Sequence, residues 1–149
     1  MIMDTAIKHI KRAFLMCCVS VALVSCASWQ RLAEIRTLAD KVWEFSQTHP
    51  DGFTISISDF SEPTEGIAVS YDATQGCHSR ESLPKVIEHA RQHDGYVGGW
   101  LDTDSGLYYF DSSRLFTEDQ RDAAIAFGKE NKQIAIYVIS TGESIEIIQ

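Results

Sequence analysis

Apolar positions along the chain recur first at helical spacing and then at strand spacing. From Trp29 to Gln47, residues Leu32, Ile35, Leu38, Ala39, Val42 and Phe45 return at steps of three and four, which predicts a helix with one buried stripe. Thr48-His49-Pro50-Asp51-Gly52 ends it. Phe53 to Ser58 then alternates apolar with polar, as a strand wetted on one face does, and Ile67 to Tyr71 predicts a second strand after the polar loop Asp59 to Gly66. Ser82 is placed to cap a helix with Pro84 in its first turn and Leu83, Val86, Ile87 and Ala90 as its buried stripe.

The richest stretch is Gly95 to Phe110, which reads as a β-hairpin. Its turn, Asp102-Thr103-Asp104-Ser105-Gly106, supplies Asp and Ser for side-chain-to-backbone bonds and Gly for positive φ. Closing the strands on that five-residue turn sets Leu101 against Leu107, Trp100 against Tyr108, Gly99 against Tyr109 and Gly98 against Phe110. One face then carries Tyr96, Trp100, Tyr108 and Phe110; the other carries Val97, Leu101, Leu107 and Tyr109. With neither face polar, either helices cover both, or the face of Trp100 and Tyr108 is a binding surface. Burial of both rings is the expectation, with the Tyr108 hydroxyl kept near a polar partner.

Beyond the hairpin, Asp111 to Phe116 reads as a connection leading to Thr117-Glu118-Asp119-Gln120, a capping box that opens a third helix ending at Glu130. Asn131 and Lys132 form its exit. Gln133 to Ile139 is nearly all apolar and predicts a strand buried on both faces, and Ser144 to Ile147 alternates as an edge strand. The whole predicts an α+β fold: about six mainly antiparallel strands packed by about three helices. The expected core includes Leu83, Ile87, Val97, Leu101, Ile134, Ile136 and Val138. A faint repeat relates residues 87–97 to 125–135, each a helix end, a polar turn and a strand; two similar helix-to-strand joints explain it equally well.

Composition changes the picture in two ways. The 149 residues, 44% hydrophobic and 10% aromatic, suffice for one ordinary globular core. The formal net charge of -8 argues against a surface that grips nucleic-acid phosphates or anionic lipid by charge.

The N-terminus carries an address. Lys8, His9, Lys11 and Arg12 form a basic region, Ala13 to Leu23 is an apolar run too short to span a bilayer, and the run closes on Leu23-Val24-Ser25-Cys26. These first 26 residues resemble a bacterial lipoprotein signal peptide with its lipobox, departing from it in Asp4 and in the cysteine pair Cys17-Cys18. The resemblance implies cleavage before Cys26, lipid on that cysteine, a leader over 1–25 and a single domain over 26–149. The partner so implied is the membrane, reached through the anchor. Of 13 basic and 21 acidic residues, loss of Asp4, Lys8, Lys11 and Arg12 leaves 10 and 20. Cys77 remains as the free thiol, so no internal disulfide supports the expected mature fold. The competing reading is a start codon assigned too early, with a cytosolic protein beginning nearer Trp29.

Candidate chemistry is sparse. Cys77 and His78 precede the helix carrying His89 and His93, which lie one turn apart and suit two ligands of a metal, but no HExxH or CxxC pattern accompanies them; no metal or cofactor is expected. Adjacent Cys77 and His78 side chains tend to point apart in an extended loop, which argues against a nucleophile and its base. Asp102-Thr103-Asp104 lacks the Glu of a calcium loop, since Ser113 holds the twelfth position, and is read as turn chemistry. The chain shows no phosphate-binding glycine loop and no nucleophile elbow.

From about Leu38 onward the body also resembles small domains of phage and mobile-element proteins from gut bacteria, through Gly66-Ile67-Ala68-Val69-Ser70-Tyr71, Gly98-Gly99-Trp100 with Tyr109-Phe110-Asp111, and Ala126-Phe127-Gly128 with Ile134-Ala135-Ile136. This resemblance implies no activity or site residues and favours an intracellular setting. Three functions therefore compete: a lipid-anchored, non-catalytic binding or accessory domain of the cell envelope; a cytosolic mobile-element domain acting through a protein partner; and an enzyme built on Cys77 or the histidines.

Overall fold

A computed structural model describes residues 28–147. The leader and Cys26 lie outside the described residues. The chain divides into two compact units, Met1–Arg36 and Thr37–Gln149. Residues 28–48 are helical (α1), so the helix bridges the boundary, and the described part of the first unit, 28–36, is helix alone.

The second unit is built on six strands and two further helices: β1 (Phe53–Ser56), β2 (Ile67–Ser70), α2 (Leu83–Gln92), β3 (Tyr96–Asp102), β4 (Leu107–Phe116), α3 (Arg121–Glu130), β5 (Ala135–Val138) and β6 (Glu143–Glu146). The sheet order is β1-β3-β4-β2-β5-β6, with every neighbouring pair antiparallel. Within it, β2-α2-β3-β4-α3-β5 occupies the spatial order β3-β4-β2-β5, the split βαβ arrangement of ferredoxin-like sheets. Strand β1 extends one edge and β6 the other. The α+β fold, the six strands and the edge position of the last one are as the alternation predicts.

Register decides what each face carries. Directly paired residues share a face, so Phe53 and Ile55, Val97 and Gly99, Phe110 and Ser112, Ile67 and Val69, and Ile136 and Val138 fall on one side. The second unit's part of α1, together with α2 and α3, covers this side. In α1, Trp43 packs on Phe110 at 5.9 Å between ring centroids and Phe45 on Phe53 at 5.2 Å. From α2, the buried stripe Leu83, Val86, Ile87 and Ala90 descends on β3 and β4. From α3, Ala124 and Gly128 approach Val69, Ile136 and Ile147 closely enough that a Cβ on Gly128 would lie 2.3 Å from Ile147 Cδ1. Among the described residues, no helix covers the other side.

Caps and turns follow local chemistry. Thr117 and Gln120 form the capping box expected of them, and Lys132, at φ 55°, turns the chain out of α3. Ser82 stands at the N-cap of α2, but its hydroxyl bonds back to the Ser79 N–H and carbonyl instead of to the helix.

Four expectations are corrected. The hairpin closes one residue tighter, pairing Asp102 with Leu107 and hence Trp100 with Tyr109, Leu101 with Tyr108 and Gly98 with Asp111. The Asp102 carboxylate accepts bonds from the Asp104 N–H and the Ser105 hydroxyl while its carbonyl accepts from the Gly106 N–H, so Asp102 serves the turn and the strand at once. Residues 111–116, read as a connection, prolong β4 to ten residues, paired with both β3 and β2. Strand β5 is buried on one face only: Ile136 and Val138 point under α3, whereas Tyr137 is exposed on the open side and Ile134, before the strand, is 78% exposed. Leu101 is exposed because it lies at the hairpin tip, beyond the helices.

Candidate functional site

The uncovered side of the sheet is concave, and the sequence explains why. Its centre is paved with small side chains: Thr54 on β1, Gly98 on β3, Ser113 on β4, Ala68 and Ser70 on β2, and Ala135 on β5. Bulk sits toward the ends, in Trp100 and Tyr109 on one side and Tyr137 on the other. The loop carrying Glu62 and Pro63, the segment Gln75-Gly76 and residues Lys132 to Ile134 raise its rim, enclosing a concavity of about 790 Å³. That size falls within the range of small-molecule sites.

Cross-strand pairing sets the residues in rows. Trp100 and Tyr109 lie side by side, stacked at 5.2 Å with ring planes 21° apart, and the His78 and Tyr109 rings meet edge to face at 5.9 Å. The next row is Thr54, Gly98 and Asp111. Beyond the end of β2, the Cys77 carbonyl accepts the Phe110 N–H, so the segment carrying Gln75 and Gly76 runs along β4 and walls in Asp111. Asp111 is 7% exposed, and among the described residues its carboxylate accepts one hydrogen bond, a long one from Trp100 Nε1 to Oδ2 at 3.4 Å. Burial pushes its pKa up to about 6, opposed by the smaller effect of the Trp100 bond. The floor thus holds a poorly compensated carboxylate under an aromatic wall of which Trp100 is 43% exposed.

The pair Trp100 and Tyr108 does not form a surface. The one-residue shift in register puts them on opposite sides of the sheet. Tyr108 is half-buried among Phe53 and Phe110, and its hydroxyl donates to the His49 carbonyl at 2.8 Å, the polar partner expected of it. Trp100, expected to be buried, lies open beside the concavity.

The Cys and His candidates are dispersed. Cys77 is buried, and the His78 ring faces Tyr109. His89 and His93 stack at 3.9 Å, with His89 Nδ1 2.8 Å from Ser112 Oγ and His93 Nδ1 2.8 Å from the His89 carbonyl. Burial, then the neighbouring His93, lowers the His89 pKa and favours its neutral form. Among the described residues, no group of three or more His, Cys, Asp or Glu is gathered that could hold a metal ion. A second polar cluster, which the sequence did not disclose, flanks these histidines on the helix side. Tyr71 donates its hydroxyl to Asp94, desolvation and that carboxylate hold the phenol protonated, and Arg114 lies over the rings of Phe116 and Phe127. Ser112 at its base is fully buried, so the Ser112-His89 contact is structural and offers no accessible nucleophile.

Asp111 is the site residue that sequence reasoning missed. Its signal was present in the continued pairing capacity of Tyr109-Phe110-Asp111-Ser112-Ser113, whose odd members share the side of Trp100. No protein-family model, no curated protein and no solved structure matches the chain.

Proposed function

We propose that this chain is a lipid-anchored, non-catalytic binding domain of the bacterial cell envelope and that it binds through the open face of its sheet. The observation that carries the binding reading is the uncovered concavity, where an exposed Trp100 stands over a buried, poorly compensated Asp111. A fold that needed these groups only for its core would place them under the helices. Supporting a non-catalytic role, Cys77, His78, His89 and His93 converge on no common point, and Ser112 is sealed from solvent. The anchor rests on the Leu23-Val24-Ser25-Cys26 motif.

Expression in a bacterial host, followed by membrane fractionation and intact-mass analysis, tests the address. The expected species begins at Cys26 and carries acyl chains. A soluble protein with an unmodified Met1 overturns the anchor and favours the cytosolic interaction domain. The surface is tested separately: Trp100→Ala should abolish retention of a ligand while leaving the unfolding midpoint little changed, and a large loss of stability would return Trp100 to the core.

A further inference from the structure

We propose that the open face binds a small organic ammonium ion, with the charged nitrogen at Asp111 and against the Trp100-Tyr109 wall. This inference rests on the open face being the binding surface and adds the class of ligand. Two features point to a cation. Asp111 is more than nine-tenths buried and lines the concavity, yet among the described residues nothing bonds its Oδ1 and only the long Trp100 contact reaches Oδ2. A carboxylate with so small an opening to water gains most from a charged donor entering through it. Beside it, Trp100 turns its N–H edge to Oδ2, and the outer faces of the stacked Trp100 and Tyr109 rings, the most electron-rich aromatic types, are π surface of the kind that attracts alkylammonium groups.

The remaining charges agree. Of the charged side chains among the described residues around the concavity, Asp51, Glu62 and Asp111 are acidic, and the one base, Lys132, is held by Asp72 at 2.6 Å. The space exceeds what a bare ion needs, and its rim exposes Ile134 and Tyr137, so the ligand carries an apolar body behind its nitrogen. Gly98 supplies the depth: with no side chain opposite Asp111, the nitrogen can approach the carboxylate from the β3 side.

The test compares hexylammonium, hexanol and hexanoate, which share a chain and differ in charge, as titrants of the isotopically labelled full chain. The readouts are the Trp100 indole resonance, assigned with Trp100→Phe, and the amides of residues 109–113. Hexylammonium should shift these saturably and bind at least about tenfold more tightly than either other probe, and Asp111→Asn should remove that preference. Equal binding of hexanol, tighter binding of hexanoate, or an unchanged preference in Asp111→Asn overturns the ammonium assignment while leaving the face as a binding surface. No shift on the face with any of the three probes overturns both.

Discussion

Replacing Asp111 with Asn tests how strongly the floor of the concavity disfavours a charge. The side chain keeps its shape and an oxygen for the Trp100 indole to bond, and loses only its charge. Burial raises the carboxyl from 3.8 to about 6, roughly two pK units, and at 1.36 kcal/mol per unit the ionised form costs the fold about 3 kcal/mol. The sign follows from proton counting. Between pH 4 and 6 the native state holds a proton that the unfolded chain has released, so stability falls as pH rises through that window and is level above it. Other groups pull the opposite way: Asp59 and Asp102 have lowered pKa values through their serine bonds, and desolvation lowers that of His89. The difference between wild type and Asp111→Asn removes these shared contributions. Urea unfolding at half-unit steps from pH 4 to 8 should give near-equal stability at pH 4, a gap widening to about 3 kcal/mol in favour of Asn by pH 6 to 7, and a plateau beyond. A gap that stays constant across the range would mean that the carboxyl titrates as in water and that the floor is wet.

Four further substitutions probe the packing. Ile136→Ala, at a buried position beneath α3, should cost about 2 to 5 kcal/mol, whereas Ile134→Ala two residues earlier should stay within about 0.5 kcal/mol; equal losses in chemical denaturation would contradict the one-sided burial of β5. Gly128→Ala should destabilise by about 1 to 3 kcal/mol although alanine is the better helix former, because its Cβ would meet Ile147 and Ile136; a raised melting temperature would show that α3 rides higher over the sheet. Tyr108→Phe removes the bond to the His49 carbonyl and should cost about 0.5 to 1.5 kcal/mol, read from the same unfolding curves, with no loss indicating that water replaces the hydroxyl.

The elements were legible wherever a period and its punctuation agreed. Phe53 to Ser56 and Ile67 to Ser70 alternate and end in polar turns, and the Thr117-Gln120 capping box marks the entry to α3. The register was not legible, because Asp102 can end a strand or begin a turn, and the hairpin offers apolar residues on both faces with no polarity to pin it. That one residue was enough to exchange Tyr109 for Tyr108 beside Trp100. The end of β4 was hidden for a related reason. Asp111, Ser112 and Ser113 are polar on successive faces and so resemble a loop, but Ser112 is taken up by His89 and Thr74 under α2 while its neighbours floor the concavity. Hydrophobicity alone likewise could not separate Ile134 from Ile136, since the difference lies in where β5 begins and which helix lies over it.

Gly98 and Gly99 make the same omission on the two sides of β3. A Cβ on Gly99 would lie 2.5 Å from the Phe53 ring and 2.8 Å from that of Tyr108, so its space is already filled by the protein's own core. A Cβ on Gly98 would press on the Ser113 hydroxyl at 3.2 Å and otherwise meet the Phe53 and Asp111 carbonyls at ordinary contact distances of 3.7 and 4.0 Å, so its space is far less filled. Mutational tolerance should therefore differ between these adjacent codons: changes at 99 are removed by selection for folding, while changes at 98 reshape recognition at a lower structural cost. A lineage carrying this sheet could exchange one ligand for another through single substitutions on alternate residues and leave the scaffold untouched.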